Sequence, residues 1–343
     1  MKKHLNTLYV TTQGVWLAAE GETVLVKADG EIKLRVPLHM LEGIVCFGNV
    51  SASPFLMGRC GERGIGISFL TERGRFLARV QGPVSGNVLL RREQYRWADD
   101  PQHTAALARS FVAAKVANCR HVMQRAARDH GGDGRGERLR EAAAALARSL
   151  EEVARASSVD SIRGIEGDAA RVYFGVFDDL ITADDDGLRF NGRSRRPPRD
   201  AVNALLSFLY TLLVHDTSSA LEAVGLDPQV GFLHRDRPGR PGLALDLMEE
   251  LRPVLADRLA LSLINRRQVR AGGFEVQETG GVFMDDDTRK TVLVAYQERK
   301  QEEIRHPFLG EKTTVGMLVH LQALLLARHL RGDLDAYPPV FWK

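Results

Sequence analysis

The feature that most narrows the possible folds is a change of hydrophobic period after QGPVSGN, residues 81 to 87. Before it, short apolar–polar alternations recur: LYVTT, VWLAA, TVLVKA, KLRVPL, GIVCF, GISFL and FLARV. Turn-type stretches such as QG, EGE, ADGE and GERG separate them. A period of two puts successive side chains on opposite faces of a strand. Strands this short and evenly spaced predict a small sheet pair or sandwich over residues 1 to 82. SASPFLMGRCGE, residues 51 to 62, breaks the series and predicts one helix, with Ser51 or Ser53 as its cap. The glycine-rich GRCGERGIG at 58 to 66 lacks the GK[ST] of a phosphate-binding loop and reads as turns.

From residue 88 the apolar side chains return every three or four positions, the period of a helix with one buried face. HTAALARSFVAAKVANCRHVMQRAARD and ERLREAAAALARSLEEVARAS are two such helices, on either side of a GGDGRG break at 131 to 136. DAVNALLSFLYTLLVHDTSSALEAVG, VLADRLALSLINRR, TVLVAYQERKQEEI and VGMLVHLQALLLARHLRG are further helices, and FEVQETGGVFM reads as a short hairpin. The expected architecture is α+β. A β-sandwich-like domain covers residues 1–82, a linker covers 83–87, and an all-α domain covers 88–343. A chain of 343 residues is long enough for two such cores.

No apolar run reaches eighteen residues, so no membrane span is expected. MKKHLNTLYVTTQG has two lysines but no apolar signal core, and reads as a first strand of a cytoplasmic protein. Cys46, Cys60 and Cys119 match no zinc spacing and read as small buried hydrophobes. Net charge is only +3, which by itself does not announce a nucleic-acid partner. The distribution says more. The basic residues are mostly Arg, a bias that a GC-rich genome would also produce. They gather in RFNGRSRRPPRD, with Arg193, Arg195, Arg196 and Arg199, and in HRDRPGR, with Arg235, Arg237 and Arg240. Guanidinium forks suit phosphate oxygens, so these strips are candidate DNA contacts. Surface pairing with Asp184, Asp185 and Asp186 is the ordinary alternative.

Two stretches carry candidate chemistry. In the helix beginning near Gly242, Leu243, Leu247, Met248, Leu251 and Leu255 make an apolar face. Asp246, Glu249 and Glu250 stand at i, i+3 and i+4, a spacing that projects three carboxylates from one side. Such charges must be solvated, paired or holding a cation; a solvated face with Arg252 and Arg258 is the ordinary reading. Pro253 cannot donate to the carbonyl of Glu249, so the helix must kink or restart there. In SIRGIEGDAARVYF, Glu166 stands between Gly164 and Gly167. Mid-helix glycines cost roughly 0.5–1 kcal/mol each relative to Ala, which predicts close approach by another element. Ile162, Ile165, Ala169 and Val172 form the expected buried face, and Glu166 shares a stripe with Arg163, Ala170 and Tyr173. A carboxylate so held is either paired with an arginine or bound to a metal.

Together, Glu166, His234 and a carboxylate at 246 or 249 make a mixed nitrogen–oxygen set. Such a set suits Mn²⁺ and tolerates Mg²⁺. With arginines beside it, the set points to metal-assisted phosphoryl transfer on a nucleic acid. No dinucleotide fingerprint and no G-x-S-x-G elbow is present. His215, at the end of an apolar helix, reads as structural.

Three segments, GIEGDAARVYF, RRPPRDAVNALLSFLYTLL and VGFLHRDRPGRPGLALDLMEELRP, resemble in order and interval the spacer-acquisition integrase of CRISPR systems, the universal adaptation nuclease, in its type I-C version. The resemblance runs along nearly the whole chain. It implies an N-terminal β domain that forms much of a homodimer, and a helical catalytic domain. It implies metal ligands at Glu166, His234 and Glu249, with Asp246 also required; Glu249 is often Asp in the family. It implies Mg²⁺ or Mn²⁺ as cofactor, double-stranded DNA as substrate, and a small second adaptation protein as partner. The implied reaction joins the 3′-hydroxyls of a short DNA fragment to phosphodiesters at a CRISPR repeat. A structure-specific repair nuclease, or a non-catalytic DNA scaffold, are the alternatives.

Overall fold

The computed structural model describes residues 6–72, 74, 76–80, 82, 88–129 and 134–342. The expected linker at 83–87 lies outside these residues, as does the first half of the glycine break at 131 to 136, whose second half begins a helix. Two compact units are formed. One comprises the described part of Met1–Gly86 together with Leu293–Gln301; the other comprises the described part of Asn87–Val292 with Glu302–Lys343. Leu293–Gln301, which the periodicity places with the helical domain, therefore joins the first unit.

The first unit contains β1 (Asn6–Val10), β2 (Val15–Glu20), β3 (Thr23–Ala28), β4 (Glu31–Pro37), β5 (Leu41–Phe47), β6 (Val50–Ala52), α1 (Pro54–Glu62), β7 (Gly66–Leu70) and β8 (Phe76–Val80). They form two four-stranded mixed sheets, ordered β1-β5-β7-β8 and β4-β3-β2-β6. One apolar core is shared by both sheets: Val10, Ile44, Cys46 and Ile67 from the first meet Val15, Leu17, Val24 and Val26 from the second. Leu56 and Cys60 of α1 close it. This is the expected sandwich-like arrangement. Asp29 and Gly30 both have positive φ, 53° and 78°, in the tight turn between β3 and β4. An Asp-Gly pair adopts that turn more readily than most dipeptides. Ser53 caps α1, its side chain accepting from Leu56 N at 3.2 Å. The stretch 58 to 66 is thus largely the end of a helix, not a series of turns. Gln297 donates to Thr7 O at 2.7 Å, using a free carbonyl of β1 at the sheet edge.

The second unit contains α2 (Val88–Asp99), α3 (Pro101–Asp129), α4 (Gly134–Arg155), α5 (Val159–Gly175), α6 (Ala201–Ala223), α7 (Gly242–Glu249) and α8 (Arg258–Asn265), with a π-helical turn at Arg252–Asp257. Strands β9 (Phe274–Val276) and β10 (Val282–Met284) form the expected hairpin. Helix α9 (Asp286–Gln301), of which only 286–292 belong to this unit, strands β11 (Glu303–Arg305) and β12 (Lys312–Thr314), and α10 (Val315–Leu330) follow. α3, α4 and α5 pack on one another, and α6 packs against α7 and α10. α6 is the one helix among the described residues long and apolar enough to cross a bilayer. It is also a core helix here, with 67% of its most apolar window buried inside the protein. The π turn contains Pro253, whose missing N–H and ring bulk disfavour a continuous α-helical ladder.

Candidate active site

The site is built around the start of α7. Gly231 and Gly242 let the backbone before His234 run directly against this helix. A Cβ on Gly231 would stand 2.7 Å from Asp246 Oδ2, and one on Gly242 would stand 2.7 Å from Gln229 O. The close approach allows Asp246, fully buried, to gather the loop. Its Oδ2 accepts from the backbone N–H of Phe232 at 2.6 Å and of Leu233 at 2.8 Å. Its Oδ1 accepts from His234 N at 2.9 Å and lies 2.6 Å from His234 Nδ1. Since a carboxylate only accepts, Nδ1 donates in this contact, and the lone pair of the neutral ring then falls on Nε2.

Glu249, one turn on, has different partners. Arg252 Nη1 donates to its Oε1 at 2.7 Å, and Lys115 Nζ lies 2.7 Å from its Oε2. That oxygen is buried and makes no aligned hydrogen bond. Burial pushes the Glu249 carboxyl up, but Arg252, Lys115 and His234 beside it prevail and hold it down at about 2. Lys115, on α3 and only 7% exposed, also donates to Glu166 Oε1 of α5. Burial opposes the Lys115 ammonium; Glu249 and Glu166 favour it over Arg252, and its pKa is raised. One ammonium therefore bridges two carboxylates from two helices.

Glu250 turns elsewhere. Tyr337 Oη donates to its Oε1 at 2.5 Å and Val340 N donates to its Oε2 at 2.7 Å, while Gln322 Nε2 donates to Oε1 at 3.1 Å. Burial raises its carboxyl to about 7 in spite of those donors. The three carboxylates expected on one side are thus all buried and separately partnered. A solvated acidic face is excluded, and Arg258 lies over the Trp342 ring instead, 5.9 Å from its centroid.

Beneath this layer, Asp257 of the π turn accepts from Tyr210 Oη at 2.5 Å and Tyr173 Oη at 3.1 Å. Burial raises the Asp257 carboxyl, against Arg252 and the two hydroxyls. The Arg252 guanidinium lies over the Tyr210 ring, 4.2 Å from its centroid.

Other expectations need correction. A Cβ at Gly164 or at Gly167 would meet nothing within 4 Å, so these glycines do not admit a neighbouring backbone. The buried residues of α5 are Ile162, Ala169 and Tyr173; Ile165 and Val172 are only partly covered, because the bundle contact is turned toward the Glu166 stripe. Glu166 pairs with a lysine, not an arginine. Among the arginines, Arg193 is drawn inward: its Nη1 donates to Asn203 Oδ1 at 2.6 Å, and the guanidinium lies over Tyr210. Arg235 pairs with Asp160 at 2.9 Å. Arg195, Arg196, Arg199 and Arg237 are exposed. Burial and the guanidinium of Arg237, then Arg196 and Arg163, lower the Arg240 pKa against Asp246. Asp185 accepts from Gly187 N and Ala271 N, and Asp186 pairs with Arg189.

Lys115, Tyr210 and Asp257 are absent from the expected set. Lys115 had a signal: it interrupts the apolar stripe Ala108, Phe111, Val112, Val116 and Cys119 of α3, where a charge needs a buried partner. Tyr210 and Asp257 sit within apolar helical runs and had none.

Among the described residues, no group of three His, Cys, Asp or Glu side chains is arranged to hold a metal ion. The donor set nevertheless fits one. Glu249 Oε2 lacks an aligned donor, His234 has its tautomer set by Asp246, and Glu166 and Glu249 already converge on one cation. Carboxylate oxygens with one imidazole suit a hard divalent ion, and a carboxylate behind the imidazole is the usual support for such a ligand.

A strand-rich unit and a helical unit, in that order along the chain, are also found in known proteins. The family model "CRISPR associated protein Cas1" matches residues 8–298. A CRISPR-associated endonuclease Cas1 of Chlorobaculum tepidum is 60% identical over 343 residues, covering 100% of both chains. In structure, the chain is similar to a casposase bound to an integration product, with TM-score 0.83 and 20% identity over 99% of this chain and 95% of that one. It is also similar to a chain of a Cas6-RT-Cas1–Cas2 complex, with TM-score 0.82 and 23% identity over 99% of this chain and 36% of that one. The chain belongs to the CRISPR-associated Cas1 family.

Proposed function

We propose that this chain is a metal-dependent DNA endonuclease and integrase of CRISPR adaptation, which inserts short DNA fragments at the repeat by 3′-hydroxyl attack on phosphodiesters. The observation that carries the reading is the pairing of two units within one turn of α7. Asp246 holds His234 by Nδ1, and Glu249 shares a cation with Glu166. The endonuclease name of the 60% identical relative supports the nuclease activity. The casposase likeness is one of fold, in keeping with strand joining.

Glu166, His234 and Glu249 would hold Mg²⁺ or Mn²⁺. When bound, the ion would polarise a phosphoryl oxygen and lower the pKa of an attacking hydroxyl or water. Asp246 keeps His234 in one tautomer and one orientation, so the ligand needs no rearrangement at the moment of use. Arg252 neutralises Glu249 from the side away from Lys115 and keeps that carboxylate ionised at neutral pH. Arg195, Arg196, Arg199, Arg237 and Arg240 hold DNA phosphates and set its register without reading bases. Arg193 supports this surface from beneath, and Arg235 is available to it once parted from Asp160. A homodimer built on the strand-rich unit, a cytoplasmic site of action, a type I-C-like locus and a small second protein complete the proposal. The Cas1–Cas2 complex among the similar structures supports the last.

The test is strand transfer and cleavage on labelled DNA with Mn²⁺, comparing the wild type with His234→Ala. Metal-dependent products from the wild type alone are expected. If cleavage occurs but no 3′-hydroxyl fragment is ever joined, the integration step is wrong and a structure-specific nuclease is left.

A further inference from the structure

We propose that Lys115 is the resident cation of the metal site: its ammonium holds Glu166 and Glu249 together when no divalent ion is bound, and gives way when one binds. The inference rests on the reading of Glu166 and Glu249 as metal ligands.

Lys115 comes from α3, whereas the carboxylates come from α5 and α7. It is the only lysine or arginine among the described residues seen to pair with both carboxylates. With Arg252 on Glu249, the four side chains sum to zero charge, three of them largely buried and Glu166 partly so. Removing one partner from such a set leaves an uncompensated buried charge, which is strongly destabilising. Adding a dication to the same carboxylates leaves the set at +2, with an ammonium in contact with the positions the ion needs. Repulsion at that range is large in a buried setting. The lysine and the ion therefore compete for one place.

Lys115 also lines a small cavity of mostly apolar walls that includes Tyr173, Tyr210 and Asp257. Asp257 is a buried carboxylate held by two tyrosine hydroxyls. The exchange of ammonium for divalent ion on Glu166 and Glu249 involves no covalent step.

The experiment is calorimetric titration of Mn²⁺ into the full-length chain: wild type, Lys115→Met, Lys115→Gln, Lys115→Arg and the double variant Glu166→Gln/Glu249→Gln. All are purified with Mn²⁺ and then passed into chelator. Both neutral variants are expected to bind Mn²⁺ at least about tenfold more tightly than the wild type, because the competing charge is gone. Their melting temperature without metal is expected to fall by about 5 °C or more, and saturating Mn²⁺ to restore it. Lys115→Arg, still cationic, is expected to bind no more tightly than the wild type. Equal or weaker binding by the neutral variants overturns the proposal, as does failure of saturating Mn²⁺ to keep them folded. Unchanged Mn²⁺ binding by the Glu166/Glu249 double variant overturns the metal-site reading itself, a different and separable outcome.

Discussion

In the turn Asp246–Glu250 all three carboxylates are buried and each has fixed partners, whereas Arg195, Arg196, Arg199 and Arg237 stand on loops with their side chains open to water. Both regions are rich in charge. The difference lies in what folding has already settled. Around α7 the hydrogen bonds and ion pairs are made before any ligand arrives, so the geometry of His234 and Glu249 is preorganised. On the loops the charges keep their hydration and rotamer freedom, which suits contacts to a polymer that must slide and be re-registered. Damage to the first region should therefore show as lost chemistry or folding, and damage to the second as lost DNA affinity and altered salt dependence.

The sharpest break is expected at the proposed ligands. Glu166→Gln, His234→Ala and Glu249→Gln should each reduce Mn²⁺-dependent strand transfer by at least about 10³-fold, and the two Glu variants, which leave Lys115 short of a partner, should also lose stability. Asp246→Asn should cost roughly 10–100-fold, the usual effect of a group that orients a ligand. If Asp246→Asn proved as severe as His234→Ala, Asp246 would have to touch the ion or the DNA directly.

Next in size is the third carboxylate. Glu250 has its pKa raised to about 7, chiefly by burial, against an ordinary value of 4.5. The folded state then binds more protons than the unfolded one between those values, so stability is greatest below about 4.5 and falls as pH rises through 7. The shift corresponds to about 3 kcal/mol at full extent. Glu250→Gln should flatten this fall in urea titrations run from pH 5 to 8. The same pH dependence in the wild type and in Glu250→Gln would show that Glu250 is ionised in the folded protein.

A smaller effect is expected from the loops. Replacing Arg195, Arg196 and Arg199 together with Gln should weaken binding to unrelated DNA sequences about equally. It should also reduce the log–log salt slope by roughly 0.7–0.9 per lost phosphate contact. No change in slope would remove these loops from the DNA path and leave the α7 centre untouched. Ser53→Ala, at the cap of α1 in the strand-rich unit, should cost about 1 kcal/mol of stability and leave DNA binding unaltered.

The same contrast explains what was legible in the sequence. The change from period two to period 3.6, the Asp29-Gly30 turn, the Ser53 cap and the break at Pro253 are local rules, and the chain obeys them. The exposed arginines were legible as clusters from their local spacing; Arg235, which reaches Asp160, and Arg193, drawn in by Asn203 and Tyr210, are where that logic failed. The acidic turn was legible as residues but not as geometry. Helical spacing put Asp246, Glu249 and Glu250 on one side, yet partners at Phe232, Lys115 and Tyr337 separate them. Such partners are distant in sequence, and only the packing of α3, α7 and the C-terminal segment brings them in. Gly164 and Gly167 suggested a close approach that is absent, whereas Gly231 and Gly242 make one.

The central claim is that Glu166, His234 and Glu249 together hold one catalytic divalent ion. It is tested most directly by anomalous diffraction at the manganese edge from crystals soaked in Mn²⁺. The account predicts one strong peak per chain, in contact with the carboxylates of Glu166 and Glu249 and with Nε2 of His234, and lost in Glu249→Gln. No peak at saturating Mn²⁺, or a peak that touches none of these three residues, would contradict it.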